Sequence, residues 1–211
     1  LNNWWCEELN LSYKIKSHLE IEYETHFEKF FMPTIRGSEK GSKKRYAGVI
    51  TVPGVGPKII FKGLESVRSD WSPLAREFQQ ELYRRVFAGE SVEGYVIDLV
   101  LALRRRQLDD KLVLRRRLRR KLDDYVKNVP PHVRAARAAE RVRKEKGLTP
   151  AYEWGGWIEY VMTVVGPEPV AYSDSEPDYD FYVERQLAPI ADAILSFQGT
   201  SLAKITDKQL G

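Results

Sequence analysis

The sequence has little cysteine and little histidine, with one Cys and three His among 211 residues. A single thiol, Cys6, excludes an intramolecular disulfide framework and a zinc site built from cysteines, and it fits a reducing cytoplasm. His18 and His26 have no Cys or His at zinc-ligand spacing, so no metal site is predicted. No apolar run approaches the roughly 20 residues that cross a bilayer, so no membrane partner is expected. The 43% hydrophobic and 30% charged residues are typical of a globular protein.

The first third of the sequence has the pattern of an antiparallel sheet that follows an opening helix over 1–17. Strands are predicted over 46–52 and 58–62, and the Pro-Gly-Val-Gly-Pro turn between them predicts a hairpin. An aromatic-rich apolar run precedes the hairpin at 27–33. Alternating apolar and acidic residues predict a further strand over 19–24. Its carboxylates would share one face, and they are Glu20, Glu22 and Glu24.

From about residue 67 the pattern becomes mainly helical. Ser72 and Pro73 fit the N-cap and the first position of a helix. Its apolar residues recur every four positions, at Leu74, Phe78, Leu82 and Val86. Later segments predict helices over 91–106, 132–146 and 179–195, a short helix over 122–126, a strand over 157–164 and a loop over 166–177. The fold class is therefore predicted as α+β, with an antiparallel-sheet portion over 1–66 and a mainly helical one over 67–211.

Four blocks resemble motifs of the family B DNA polymerases, in the order and spacing of that family. Residues 42–48 resemble its Lys-Lys-x-Tyr motif, and residues 62–71 resemble its Gly-x-Glu-x-x-Arg-x-Asp-Trp junction. Residues 125–137 resemble its thumb segment, and residues 156–160 resemble the Gly-x-Ile-x-Tyr strand that follows. The resemblance covers essentially the whole chain.

Residues 31–37 and 128–137 resemble in particular the bacterial polymerase II branch of this family. The resemblance implies that 1–66 form the carboxy-terminal part of a palm and 67–211 a thumb, which holds primer–template DNA. The parent enzyme would be a DNA-directed DNA polymerase that uses Mg²⁺ and deoxynucleoside triphosphates. The family holds its two metal ions with Ser-Leu-Tyr-Pro-Ser and Asp-Thr-Asp motifs, and neither motif occurs here. We therefore expect this chain to need no cofactor of its own and to be inactive alone.

Both ends of the sequence suggest a larger protein. The chain begins with Leu-Asn-Asn-Trp-Trp, in a predicted helix with no capping residue before it. This start predicts a piece whose partner is the rest of the polymerase chain, although removal of a tag or leader is an alternative. Gln209 and Leu210 resemble the start of a Gln-Leu-x-Leu-Phe peptide that docks on the sliding clamp. Because its last two apolar anchors are missing, clamp binding should be poor; a coincidental disordered tail is the alternative.

A basic run stands where a loop enters the strand at 46–52. By resemblance, Lys44 and Tyr46 contact the primer-terminal base pair through minor-groove acceptors that every base pair presents. Lys43 and Arg45 would then contact phosphates. A solvated basic turn is the alternative. By the same resemblance, Glu24 is an accessory carboxylate near the metal of an incoming nucleotide, whereas its pattern alone favours a solvent-facing acidic edge.

Residues 104–120 contain eight Arg and one Lys against two Asp. This excess, interleaved with leucines, suits a phosphate-binding surface, although a solvated face is the usual reading of such a run. Its predicted centre is Arg115, Arg116, Arg117, Arg119 and Arg120. The spacing of Leu114, Leu118 and Leu122 fits a helix, but the family has a strand up to about Leu118, and the prediction follows the family.

The helix that follows Pro130 is predicted to meet a phosphate with its amino terminus, since its free N–H groups and dipole favour an anion. Its predicted DNA contacts are His132, Arg134 and Arg137, with a capping or core histidine as the alternative for the first. Glu65, Arg68 and Asp70 are predicted to form either an ion-pair network or DNA contacts. The tryptophans predicted to lie in the core are Trp4, Trp5, Trp71 and Trp157.

Two other classes of function stay open on the sequence. One is a freestanding, sequence-nonspecific nucleic-acid-binding module. The other is a protein-interaction domain with an incidental arginine surface, which would show no salt-dependent DNA binding. The expected location is the cytoplasm, in association with the nucleoid.

Overall fold

The computed structural model describes residues 1–18, 20–33 and 44–210, with the side chains of 208–210 excepted. Helix α1 (Asn2–Tyr13) opens the chain. The first sheet is antiparallel, in the order β1 (Lys29–Phe31), β2 (Tyr46–Val52) and β3 (Gly56–Lys62). The predicted hairpin is confirmed, because β2 pairs with β3 from Tyr46 opposite Lys62 to Val52 opposite Gly56.

The strand predicted over 19–24 is wrong. Lys29 lies opposite Val49 in the antiparallel register of β1 on β2. Residue 24, five positions before Lys29, would lie opposite position 54, which is past the end of β2 at Val52. The described residues 20–24 thus lie beyond the last residue of β2 and form no strand. The predicted row of carboxylates on a strand face is therefore absent from this described segment, and all three are exposed: Glu20, Glu22 and Glu24.

Helix α2 (Pro73–Ala88) confirms the strongest helix prediction. The Ser72 Oγ accepts a hydrogen bond of 3.2 Å from the Ala75 N–H, which satisfies one of the free donors of the first turn. Gly89 ends the helix in the left-handed conformation. Helix α3 (Glu93–Arg104) follows and is shorter than the predicted 91–106.

The second sheet is also antiparallel, in the order β4 (Leu114–Leu118), β5 (Gly156–Thr163) and β6 (Gly166–Pro169). A strand at β4 confirms the prediction that followed the family. The short helix predicted near 122–126 is a 3₁₀ turn at Leu122–Asp124. Helix α4 (Pro131–Glu145) lies between β4 and β5 in sequence. The loop predicted over 166–177 is wrong at its start, because the chain turns back at Val164 and Val165 and β6 pairs with β5.

The predicted helix over 179–195 forms as α5 (Tyr179–Tyr182), a π-helical segment (Val183–Leu187) and α6 (Ala188–Leu195). The π-helical segment ends two residues before Pro189, whose missing N–H leaves the regular hydrogen-bond ladder incomplete. The last described element is α7 (Leu202–Leu210), which includes Gln209. None of the helices in the part of the chain covered by the structure is long and apolar enough to cross a membrane.

One hydrophobic core extends from the first sheet through α2 to the second sheet. The buried Tyr83 ring meets the rings of Phe31 and Phe61 edge to face, at centroid distances of 5.6 and 5.7 Å. At the other end, the buried Tyr182 hydroxyl accepts a hydrogen bond from the Met162 N–H. It also donates one of 2.8 Å to the Leu112 carbonyl. These contacts hold β5 and the segment before β4 against the carboxy-terminal helices.

Three of the four tryptophans predicted for the core are exposed. Trp4 and Trp5 lie on α1, which buries none of its residues, and Trp157 lies on β5 with 48% of its surface exposed. Only Trp71 packs against the core, and it is half-buried. Periodicity predicts that a residue occupies one face of an element, whereas burial of that face depends on which segments pack against it.

Candidate nucleic-acid interface

Strand β4 presents its arginines at the edge of the second sheet. Leu114 and Leu118 are 3% and 2% exposed, so both ends of the strand are anchored in the core. Alternation along a strand places Arg115 and Arg117 on the face opposite to Arg116. All three arginines are nevertheless exposed, and β4 has a neighbour on one side only within the described sheet.

An open cleft of about 710 Å³ runs along this edge. It brings together six of the residues predicted to contact DNA, which are Arg115, Arg116, Arg117, Arg119, Arg120 and His132. Arg68 and Asp70, which are predicted to form either an ion-pair network or DNA contacts, also line it, as do three residues with no predicted DNA contact: Ser69, Tyr125 and Trp157. Tyr125 and Trp157 could have been predicted from the sequence, because they lie inside two of the motif blocks, 125–137 and 156–160.

Aromatic rings hold two of these arginines. The Arg115 guanidinium lies over the Trp157 ring, 4.7 Å from its centroid, and the Arg120 guanidinium lies 4.4 Å from that of Tyr125. The Tyr125 hydroxyl accepts a hydrogen bond of 3.1 Å from the Arg119 N–H. Stacking restricts a long side chain while leaving the edge of the guanidinium available for hydrogen bonds. These arginines are therefore partly ordered before any ligand is bound.

Two of the three residues predicted for an ion-pair network, Arg68 and Asp70, pair at the wall of the cleft, whereas Glu65 pairs with Arg45. The Asp70 carboxylate accepts hydrogen bonds from Arg68 Nε at 3.0 Å and Nη2 at 2.8 Å. Arg116 Nη2 lies 3.1 Å from Asp70 Oδ2. Although burial acts to raise the pKa of Asp70, the hydrogen bonds from Arg68 and the charges of both arginines hold that pKa below its usual value. Asp70 is therefore ionised at neutral pH.

The start of α4 contributes His132 to the cleft. Its half-buried ring lies 6.5 Å from the Tyr125 ring, centroid to centroid. Burial, followed by the positive charge of Arg116, lowers the pKa of His132, so the ring is neutral at neutral pH. A neutral imidazole can donate one hydrogen bond to a phosphate without adding charge.

The other two predicted contacts on α4 are not among the residues that line the cleft. Arg134 is exposed on the helix. Arg137 Nη2 donates hydrogen bonds of 3.0 and 2.9 Å to the carbonyls of Leu122 and Tyr125. Arg137 thereby fixes the turn that carries Tyr125, and a contact of either arginine with DNA stays a prediction.

The predicted basic run of the first sheet lies apart from the residues that line the cleft. Lys43 is outside the described residues, and Lys44 is exposed in the turn before β2. Arg45 pairs with the buried carboxylate of Glu65. Tyr46 packs against two aromatic rings, with centroids 5.8 Å away at Phe27 and 5.2 Å away at Phe30.

Gly63 joins this turn to the junction motif. Its φ of +62° lies in the left-handed region, and a Cβ there would come within 2.0 Å of the Lys44 carbonyl oxygen. Two residues later, the Glu65 carboxylate accepts a hydrogen bond of 2.7 Å from Gln79 Nε2. The Lys-Lys-x-Tyr and Gly-x-Glu blocks are therefore packed together, backbone against backbone.

The predicted accessory carboxylate, Glu24, is exposed in the segment between α1 and β1. Among the residues that the structure describes, no group of three or more His, Cys, Asp or Glu side chains could hold a metal ion. These residues thus do not fit a Mg²⁺ site, and the chemistry of the cleft is that of its guanidinium groups.

Comparison with known proteins gives one consistent family. Residues 8–198 match the sequence profile described as DNA polymerase family B. All 211 residues align at 50% identity with DNA polymerase II of Escherichia coli K12, of which they cover 27%. DNA polymerase 2 of Aeropyrum pernix is 37% identical over 175 residues, which are 80% of this chain and 20% of that protein.

The DNA polymerase of Thermococcus litoralis is 32% identical over 198 residues, which are 88% of this chain and 11% of the relative. The chain thus spans about a quarter or less of the length of these curated relatives. The profile match alone extends over most of the sequence, so this chain belongs to DNA polymerase family B.

Proposed function

We propose that this chain holds duplex DNA by its phosphates, as the thumb (67–211) and the carboxy-terminal part of the palm (1–66) of a DNA-directed DNA polymerase. The observation that carries the proposal is the cleft along β4, which is lined by six arginines and His132. These residues come from the junction segment at Arg68, from β4 and the segment after it, and from α4, so their convergence is a property of the fold.

The cleft suits a chain of phosphates because guanidinium groups bind phosphate oxygens in pairs and remain charged at any physiological pH. Stacking of Arg115 on Trp157 and of Arg120 on Tyr125 reduces the side-chain entropy lost on binding. Phosphate contacts carry no sequence information. Binding through this cleft is therefore independent of the DNA sequence.

A second set of contacts is proposed on the first sheet. Lys44 and Tyr46 would touch the primer-terminal base pair in the minor groove, and Lys43 would contact a phosphate. Arg45 is already paired with Glu65, so its phosphate contact requires exchange of that carboxylate. Arg134 and Arg137 extend the proposed phosphate surface beyond the cleft.

The whole protein is proposed to extend primers in the presence of Mg²⁺ and deoxynucleoside triphosphates. In that protein the partners are primer–template DNA, the rest of the polymerase chain and the sliding clamp. This chain by itself should bind the clamp poorly, because Gln209 and Leu210 lack the last two apolar anchors of the docking peptide. The 211-residue chain alone should extend no primer in Mg²⁺ or Mn²⁺, since both aspartate motifs are absent from it. Incorporation that co-purifies with the chain after removal of other polymerases would contradict this proposal.

The DNA-binding proposal is tested by salt dependence. If four or five phosphates are contacted, log K plotted against log salt should fall with a slope of about −4, since each contact contributes about −0.9. Changing Arg116 and Arg119 together to Ala should flatten the slope by up to about two units, equally for unrelated sequences. Arg84→Ala is the matched control, because Arg84 lies on α2 and pairs with Glu81 and Glu90, outside the cleft.

Binding that does not depend on salt, or that the double change leaves as it was, would mean that the arginines only solvate a surface. The same outcome would favour the protein-interaction domain. Retained folding of each variant is checked by circular dichroism before binding is measured.

A further inference from the structure

A carboxylate of the protein itself lies among the arginines at the wall of the cleft. Asp70, whose side chain is 17% exposed, receives two hydrogen bonds from Arg68, one on each carboxylate oxygen. The same carboxylate pairs with Arg116 at 3.1 Å. Paired N–H donors facing two oxygens are the arrangement in which arginine also binds a phosphate. The position of the Asp70 carboxylate therefore marks a place where an oxyanion fits.

The guanidinium groups around this carboxylate also face solvent. The side chains of Arg68 and Arg116 are 49% and 46% exposed, against 17% for Asp70. Together with His132, these three residues line both the arginine cleft and a neighbouring cavity of about 480 Å³. Each guanidinium has five N–H donors, of which Asp70 engages only some. A ligand in the cleft can thus reach the same arginines.

Glu159 provides a contrast within the same sheet. Its carboxylate lies 3.7 Å from Arg115, and both side chains are 57% exposed. This loose, exposed pair should contribute little. The Asp70 group differs, since its carboxylate is mostly enclosed and is shared between two arginines from distant parts of the chain.

We propose that Arg68 and Arg116 form a seat for one DNA backbone phosphate, and that Asp70 occupies this seat until the phosphate displaces it from Arg116. The inference rests on the proposed DNA binding, and it adds Arg68 and Asp70 to the interface. Asp70 stays paired with Arg68 after the exchange, so its charge is never left without a partner. Arg116 alone changes its anion.

The exchange has a consequence for selectivity. When a single small anion binds, Arg116 gains one ion pair and loses its pair with Asp70, so the net gain in binding free energy is small. A polymer of phosphates makes this exchange while also binding the other arginines of the cleft. Asp70 therefore disfavours free phosphate and nucleotides relative to DNA.

The test is Asp70→Asn, which keeps an oxygen acceptor for Arg68 and removes the negative charge. At low salt, duplex DNA should bind this variant about two- to fivefold more tightly than the unchanged chain. The slope of log K against log salt should steepen by at most about 0.9. The matched control, Glu159→Gln, removes a negative charge beside the same strand and should change affinity less than Asp70→Asn does.

The gain must also depend on Arg116. In an Arg116→Ala background, Asp70→Asn should leave DNA affinity unchanged, because the competition has been removed. Arg68→Gln is an independent variant that keeps Asp70. It should weaken binding and flatten the salt slope by about 0.9, because the seat loses one cation and Asp70 is left to Arg116 alone.

Weaker binding by Asp70→Asn would overturn the proposal, since it would mean that Asp70 orients the arginines for DNA. An equal gain from Glu159→Gln, a gain that persists without Arg116, or an unaffected Arg68→Gln would overturn it as well. In each of these cases the unchanged chain still binds DNA in a salt-dependent way. Loss of that binding in the unchanged chain is instead the failure of the proposed function.

Discussion

The two three-stranded sheets of this protein both carry basic residues at a strand, but the partners and the exposure of these residues differ between the sheets. In the first sheet, Arg45 pairs with Glu65, which is 5% exposed, and Tyr46 packs against the rings of Phe27 and Phe30. In the second sheet, the arginines of β4 are exposed and line an open cleft.

The difference shows that the partner of a basic residue, more than its charge, determines what it can do. A buried carboxylate needs its cation, so an arginine that serves it is bound to the fold. An arginine stacked on an exposed ring, or paired with a carboxylate that keeps a second cation, can exchange that contact for a phosphate at small cost. We therefore expect changes in the first sheet to alter stability or geometry, and changes in the second to alter salt-dependent binding.

The largest effect is expected at the glycine that carries the first basic turn. Gly63→Ala should lower the free energy of unfolding by about 2–4 kcal/mol, because the added Cβ meets the Lys44 carbonyl at a positive φ. Gly54→Ala is the matched control. Gly54 also has a positive φ, of +76°, but nothing lies within 4 Å of an added Cβ, so only the strain of about 1–2 kcal/mol should remain. Urea denaturation measures both, and equal losses would show that Lys44 can shift away.

The next largest effect concerns recognition of the base pair at the primer terminus, and it is measured in the full-length protein. Lys44→Ala should slow extension of a matched primer by roughly 10- to 100-fold, because a minor-groove contact worth about 1–3 kcal/mol is lost. A mismatched primer should be slowed far less, since the mismatch has already displaced the acceptor. Arg116→Ala, the comparison variant from the second sheet, should slow both primers alike and recover at low salt.

The measurement is the ratio of matched to mismatched extension rates. An unchanged ratio for Lys44→Ala, accompanied by salt-dependent loss of DNA binding, would make Lys44 another phosphate contact. The basic residues of the two sheets would then differ less in function than the contacts of their side chains indicate.

The smallest effect compares one arginine from each sheet. Arg45→Ala should lower the free energy of unfolding by about 1–2 kcal/mol, since Glu65 keeps only part of its hydrogen bonding. Arg117→Ala should change stability by less than about 0.5 kcal/mol and flatten the salt slope of DNA binding by about 0.9. Thermal melts and binding titrations of both variants give the comparison. The reverse assignment of these effects would overturn the distinction between the sheets.

Prediction from sequence succeeded where a rule concerns near neighbours. The hairpin at β2 and β3 follows from its turn residues, and the start of α2 follows from Ser72 and Pro73. It failed for 19–24, where alternation indicates a strand but the register of β1 leaves no partner beyond the end of β2. It also failed for Trp157, because a half-exposed ring on a strand gives the same alternation as a buried one.

The amino-acid sequence by itself determined the family motifs, the α+β order of elements and the concentration of arginines near β4. Each of these features depends only on residues that are close together in the chain. Only the tertiary structure decided which charges meet. Asp70 and Arg116 are 46 positions apart, and no periodicity connects them; packing of β4 beside the junction segment brings them to 3.1 Å. Ion pairing depends on distance and burial in the folded chain, and these are set by long-range packing that local patterns do not specify.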